Sequence, residues 1–253
     1  MKYCVLASGS KGNSLYIETH HGRFLIDVGL SAKKIADRLA SRDIDPAGID
    51  AILVTHSHQD HVKGVGVFSR RYNVPIYAAE ETLEQLASQL RSHQELNPIT
   101  DRFTVKDVTF EPFEVSHDCE PTVGYVVKGP RSVLVQCTDL GYASRRVKDA
   151  VLQANALLLE SNYDEGLLAS GPYPWQLKER ISGNRGHLSN KAAAELLREC
   201  LTPRLKHVIL GHLSDENNTP DHVTETMRDV LGSANDSLYQ VIVQQTVSDV
   251  FQI

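Results

Sequence analysis

The sequence predicts an α/β fold, organised as one domain of two similar halves over residues 1–253. Three observations predict it. Short apolar, β-type stretches alternate with stretches of helical spacing in two successive series, each ending in helix then strand. No low-complexity segment or long linker separates the series. The composition, 41% hydrophobic and 23% charged, is that of a globular chain long enough for a substantial core.

The elements follow in order. Residues 3–7, 14–19 and 23–28 read as strands joined by turns at 8–13 and 20–22. Residues 31–41 have helical spacing, with Ile35, Ala36, Leu39 and Ala40 on one face and Lys33, Lys34, Asp37 and Arg38 opposite. Pro46 breaks the chain before a buried strand at 50–55. A helix is expected after His61, a strand at 75–79 and a helix at 80–91. Residues 102–138 read as nearly continuous strand, 143–155 as helix and 156–161 as apolar strand. The stretch 166–185, with Gly171, Pro172, Pro174 and Gly183, reads as irregular. Ser189 is placed to cap a helix at 190–200, and Thr219 one that starts at Pro220. Strands are expected at 207–210, 238–244 and 249–252.

Composition excludes several classes. Apolar runs such as 51–54 and 156–159 fall far short of the roughly 20 residues of a membrane span. The opening MKYCVLASGSKGNS reads as strand and turn rather than as a secretory leader. Cys4, Cys119, Cys137 and Cys200 are scattered without a C-x-x-C pair, so reduced thiols and a cytoplasmic location are expected. The net charge of −6 counts against a protein that simply coats DNA. The unusual count is 11 histidines, the commonest metal ligand.

The decisive segment runs from Ile52 to His61, where an apolar strand is followed by His56, His58, Asp60 and His61. Alternation points His56 and His58 the same way, and a turn toward a helix swings Asp60 and His61 to a second point nearby. Imidazole with carboxylate suits zinc and similar divalent ions. Four ligands cannot close two sites, so others must come from the ends of other apolar strands. His117, Asp139 and His212 stand at such ends. His20, His21, His93, His207 and His222 read as surface or internally satisfied residues.

The order Asp27, His56-x-His58-x-Asp60-His61, His117, Asp139, His212 resembles the metallo-β-lactamase superfamily over most of the chain. The resemblance implies a four-layer αββα sandwich with the site at the rim where two sheets meet. It implies two divalent metal ions, zinc or manganese with iron as a further candidate. His56, His58 and His117 would bind one, and Asp60, His61 and His212 the other. Asp139 would bridge them, and Asp27 would orient the histidine loop.

The stretch between Asp139 and His212 is too short for the inserted domain of β-CASP nucleases. Four segments resemble the WalJ/YycJ-like nuclease branch: residues 7–14, 160–164, 182–190 and 211–218. The branch usually has His where this chain has Tyr163. The resemblance implies metal-dependent phosphodiester hydrolysis, as a 5′→3′ exonuclease on DNA rather than RNA, with the metals activating a water between them. Asp60 would orient that nucleophile. His187 would donate a proton to the leaving oxygen or stabilise charge on the phosphate, with Glu160 orienting it. Ser10 and Asn13, in a glycine turn that is not a P-loop, and Arg185 beside His187 are the candidate substrate contacts. Further basic groups, Lys33/Lys34, Arg70/Arg71, Arg145/Arg146/Lys148 and Lys178/Arg180, could track a nucleic-acid backbone or lie on solvated helix faces. A small-molecule metallohydrolase, of cyclic phosphodiesterase, thioesterase or lactonase type, is the alternative, because the same metal set attacks carbonyl carbon.

Overall fold

The structure, a computed structural model, describes residues 1–244 and 246–253. Among them, two seven-stranded sheets carry the chain. β1 (Lys2–Ala7), β2 (Ser14–Glu18), β3 (Arg23–Ile26), β4 (Ala51–Leu53), β5 (Ile76–Ala78) and β6 (Leu96–Pro98) build the first. β7 (Phe103–Val105), β8 (Val108–Glu114), β9 (Val123–Lys128), β10 (Val133–Cys137), β11 (Ala156–Glu160), β12 (His207–Gly211) and β13 (Tyr239–Val241) build the second. β14 (Phe251–Gln252) returns to the first sheet beside β1.

Each sheet is antiparallel on one side and parallel on the other. The change comes at β3–β4 in the first sheet and at β10–β11 in the second. Parallel neighbours need a crossover, and helices supply it. α1 (Ala32–Ala40), α2 (Gln59–Val62), α3 (Val65–Tyr72) and α4 (Glu80–Gln85) serve the first sheet. α5 (Arg145–Val151), α6 (Glu165–Ser170), α7 (Trp175–Ser182), α8 (Asn190–Cys200) and α9 (Pro220–Leu231) serve the second. The side chains of Ser31, Ser144, Asp164, Ser189 and Thr219 each accept a backbone N–H in the first turn of the helix that follows.

Side-chain alternation sets the layers. Along β3, Phe24 and Ile26 pack between the sheets, while Leu25 packs outward under α1 and α3. Along β11, Ala156 and Leu158 face the gap between sheets, and Leu157 and Leu159 face α5 and α8. Three apolar clusters therefore separate four layers, α, β, β and α. No helix among the described residues is long and apolar enough to cross a membrane. All four cysteines are free thiols.

The structure corrects the sequence reading in three places. Residues 166–185 hold two helices, α6 and α7. Gly171 and Pro174 mark where one ends and the next begins, and α7 fully buries no side chain, so its apolar period rests on one half-buried pair, Leu177 and Ile181. The helix expected at 80–91 stops at Gln85. Beyond it, bonds spanning three residues carry Leu90 into the core, and Arg70 holds the Gln89 carbonyl against Gly66. β6 was not expected: its exposed sequence Leu-Asn-Pro carries little strand signal at a sheet edge.

The parallel strands bring β3, β4, β10 and β12 to one rim at their C-terminal ends. Asp27, Asp139 and His212, just beyond β3, β10 and β12, share left-handed backbone, with φ of 63°, 60° and 56°. That conformation costs a non-glycine residue about 1–2 kcal/mol, and strain of this kind clusters at functional sites.

Candidate metal centre

The loop after β4 is pinned from below. Asn13 N–H donates to the Asp60 carbonyl at 2.7 Å, and Val28 N–H to that of His61 at 2.9 Å. A Cβ on Gly29 would lie 1.7 Å from the Asp60 oxygen, so only glycine lets these chain segments approach so closely. Asp27 then orders the imidazoles. Its Oδ1 accepts from Thr55 N–H, and its Oδ2 accepts from the Thr55 hydroxyl and from His61 Nδ1 at 2.8 Å. His56 Nδ1 donates to the Thr55 oxygen at 2.9 Å. One buried carboxylate thereby orients two rings, one directly and one through a hydroxyl.

The second sheet does the same by other means. His117 Nδ1 donates to the Gly186 carbonyl at 3.1 Å, and His212 Nδ1 to Glu160 Oε1 at 2.6 Å. His212 N–H donates to Ser8 Oγ at the end of β1, tying the two sheets together. With Nδ1 engaged in all four rings, Nε2 is the nitrogen of each left to meet a cation.

These nitrogens converge. Asp139 Oδ2 lies 3.2 Å from His61 Nε2, and Asp139 Oδ1 lies 3.4 Å from His212 Nε2 and 3.8 Å from His117 Nε2. Asp60 Oδ2 lies 3.5 Å from His61 Nε2 and 3.9 Å from His212 Nε2. His58 Nδ1 faces His117 Nε2 at 3.3 Å. Four sets have ligand atoms mutually within 4.8 Å: His56, His58 and His117; Asp60, His61 and His212; His56, His61 and Asp139; and Asp139, Glu160, His187 and His212. Asp139 sits between the first two sets.

Three buried polar atoms here lack any hydrogen-bond partner: His56 Nε2, Asp139 Oδ2 and His212 Nε2. Leaving such atoms unsatisfied costs about 1–3 kcal/mol each, and a cation among them answers all three. The donor set of imidazole nitrogens and carboxylates fits a divalent ion.

The electrostatics agree. Burial pushes the His56 ring far below its ordinary value, and the adjacent His61 adds to this. Burial works against the Asp139 charge, yet His212 and His61 hold its carboxyl well below the usual carboxylate range. Burial likewise opposes charge on His212, but Asp139, Asp60 and Glu160 hold it up to about 10.

Glu160 is buried and fully engaged. Its Oε1 accepts from His187 Nδ1 at 2.8 Å as well as from His212, and its Oε2 accepts from the Leu140 and Leu188 N–H groups. His187 lines an open cleft of about 330 Å³ with Ser10, His58, Asp60, His117, Asp139 and His212. Asn13 is turned inward, its amide on the Gly9 carbonyl, Asp60 and His61. Arg185 bonds the His117 carbonyl and Glu120 and lines a neighbouring cleft beside Tyr142, Arg145 and Arg146.

A family model described as "Beta-lactamase superfamily domain" matches residues 22–213. The chain belongs to this family. Within the superfamily it is 40% identical over 240 residues to "Exodeoxyribonuclease WalJ" of Streptococcus pneumoniae serotype 2, covering 92% of this chain and 89% of the relative. It is 37% identical over 235 residues to "Exodeoxyribonuclease YycJ" of Bacillus anthracis, covering 91% and 89%. Among solved structures, the metallo-β-lactamase fold protein YhfI of Bacillus subtilis shares the fold, with a TM-score of 0.77 at 15% identity, covering 97% of this chain and 98% of that one. As a superfamily member the chain is a metal-dependent hydrolase, built on the αββα sandwich.

Sequence reasoning missed Thr55 and Asp118. Thr55 reads as an ordinary strand residue, and its bridging role exists only because Asp27 arrives on the neighbouring parallel strand. Asp118 lies 3.4 Å from His117 Nε2 and pairs with Arg180 at 2.5 Å on the cleft wall. Its position directly after a strand-end histidine was the available signal.

Proposed function

We propose that this chain is an exodeoxyribonuclease that degrades DNA from the 5′ end. The observation that carries the reading is the 40% identity to the WalJ exodeoxyribonuclease across nearly the whole chain, with a complete imidazole–carboxylate cluster at the rim.

His56, His58 and His117 would hold one divalent ion, and Asp60, His61 and His212 a second, with Asp139 shared; zinc or manganese are the leading candidates and iron a third. When bound, such ions supply Lewis acidity toward phosphate oxygens and toward water. The chain's own groups do the rest. Asp60 Oδ2 sits among the ligand atoms, which leaves its Oδ1 to accept a hydrogen bond from the attacking water and aim it. His187 is the proton donor. Burial disfavours its charge, but Glu160 outweighs burial and raises the ring above its ordinary value. Its Nδ1 is spent on Glu160, so the Nε2–H serves the leaving oxygen.

The test uses metal-reconstituted protein on single- and double-stranded DNA and on RNA, each labelled at the 5′ or the 3′ end. The expected result is early release of 5′-labelled mononucleotide while the 3′ label persists in shortening DNA. DNA left intact beside rapid hydrolysis of an acyl thioester would overturn the reading.

A further inference from the structure

A second cleft opens beside the metal cleft. Its volume is about 510 Å³, and Ser10 and Asp60 line both. Four cations reach it from three separate segments: Lys11 from the β1–β2 turn, Lys34 and Arg38 one turn apart on α1, and Lys63 just after α2. Among the described residues Asp60 is the only carboxylate in the lining, and it is engaged with His61 and His212.

The cations differ in what answers them. Lys11 is paired with Asp215. Lys34, Arg38 and Lys63 form no ion pair among the described residues. Arg38 is held in place, half-buried, with Nη1 donating to the Leu6 carbonyl at 2.5 Å. The cleft beyond His117 offers a contrast. Its arginines are answered within the protein: Arg146 by Glu114, Arg185 by Glu120 and Arg145 by Asp149.

A molecule with net charge −6 repels a polyanion overall, so any grip on one must come from a local field. Three unanswered cations in a concavity continuous with the reacting centre provide that field. We propose that this cleft is a phosphate-backbone subsite, in which Lys34, Arg38 and Lys63 hold phosphates of the substrate strand next to the one being cleaved. The inference rests on the nuclease reading above and adds the path of the strand: it leaves the metal cleft past Ser10 and Asp60, toward the N-terminal end of α1. The contacts are to phosphate, so they carry affinity and register, not base sequence.

The experiment compares parent protein with Lys34→Gln/Lys63→Gln, both exposed positions, and with Arg38→Gln as an independent variant. Lys206→Gln, an exposed cation at the opposite end of β12, controls for net charge. The readouts are kcat/KM for single-stranded DNA divided by kcat/KM for bis-p-nitrophenyl phosphate, which is too small to reach the second cleft, and the salt dependence of DNA binding. For the double variant the ratio is expected to fall about tenfold, and the slope of log affinity against log salt to shrink by about 1.4, at roughly 0.7 per single-strand phosphate released. Lys206→Gln should leave both as in the parent. A DNA-degrading parent whose double variant and Arg38→Gln keep its ratio and slope overturns this inference alone. Equal losses in Lys206→Gln overturn it too. A parent inert on DNA overturns the nuclease reading and this inference with it.

Discussion

Asp27 Oδ2 lies 2.8 Å from His61 Nδ1, with both groups shut away from solvent. The same carboxylate takes the Thr55 hydroxyl on which His56 leans. Asp27→Asn keeps the size but removes the charge that fixes both rings. Metal affinity is expected to fall about 10–100-fold. Competition against a chelator of known affinity measures it, and parent-like affinity would refute the orienting role.

Gly29 has its own test. A methyl group there would overlap the Asp60 carbonyl at 1.7 Å. Gly29→Ala should therefore push the whole His56–His61 loop outward, at about 1–3 kcal/mol of stability. Urea unfolding reads the stability, and metal stoichiometry after dialysis reads the loop. Both should drop together, because one displaced carbonyl carries the ligand-bearing backbone with it.

His187 should separate chemistry from metal binding. His187→Gln keeps a hydrogen bond to Glu160 but cannot give up a proton. Its metal content should match the parent while kcat on DNA falls about 10²–10⁴-fold. The loss should shrink on a substrate with a good leaving group, such as p-nitrophenolate, which departs without protonation. A loss of equal size on both substrates would make His187 a packing residue.

Metal binding should release protons. His61 is raised well above 6.5 because Asp139 and Asp27 outweigh its burial, and His212 is raised to about 10. Near neutrality both rings carry protons that a cation must displace, so apparent affinity should climb as pH rises from about 6.5 to 10. The metal-free fold should move the opposite way. A raised histidine contributes stability that is fully present below its unfolded value and is lost as pH rises through the folded one. Calorimetry in buffers of differing ionisation enthalpy counts the protons, and melting of metal-free protein over the same range tests the opposing trend.

Much of the site was legible because its chemistry is local or lies at strand ends. His56 to His61 stand within six positions, and His117, Asp139 and His212 each follow an apolar run that had to be a strand. What escaped depends on neighbours distant in sequence. Arg185 and His187 are two residues apart, yet a turn at Gly186, whose N–H bonds the Gly183 carbonyl, sends them into different clefts. Helix α7 escaped because it is short and largely exposed, with a single half-buried apolar pair, Leu177 and Ile181, to carry its period. The left-handed turns at Asp27, Asp139 and His212 escaped because Asp and His favour that backbone only modestly and adopt it at few of their positions.

The cluster draws its donors from both sheets: His56, His58, Asp60 and His61 follow β4, while His117, Asp139 and His212 follow β8, β10 and β12. A cation there would act as a rivet through the seam between two slabs that also adhere by apolar contact at their inner faces and by hydrogen bonds such as His212 N–H to Ser8 Oγ. Loading the rivet would fasten the rim across the seam, and withdrawing it would remove that one link between the slabs. Catalytic competence and the cohesion of the sandwich would then be fastened at the same point.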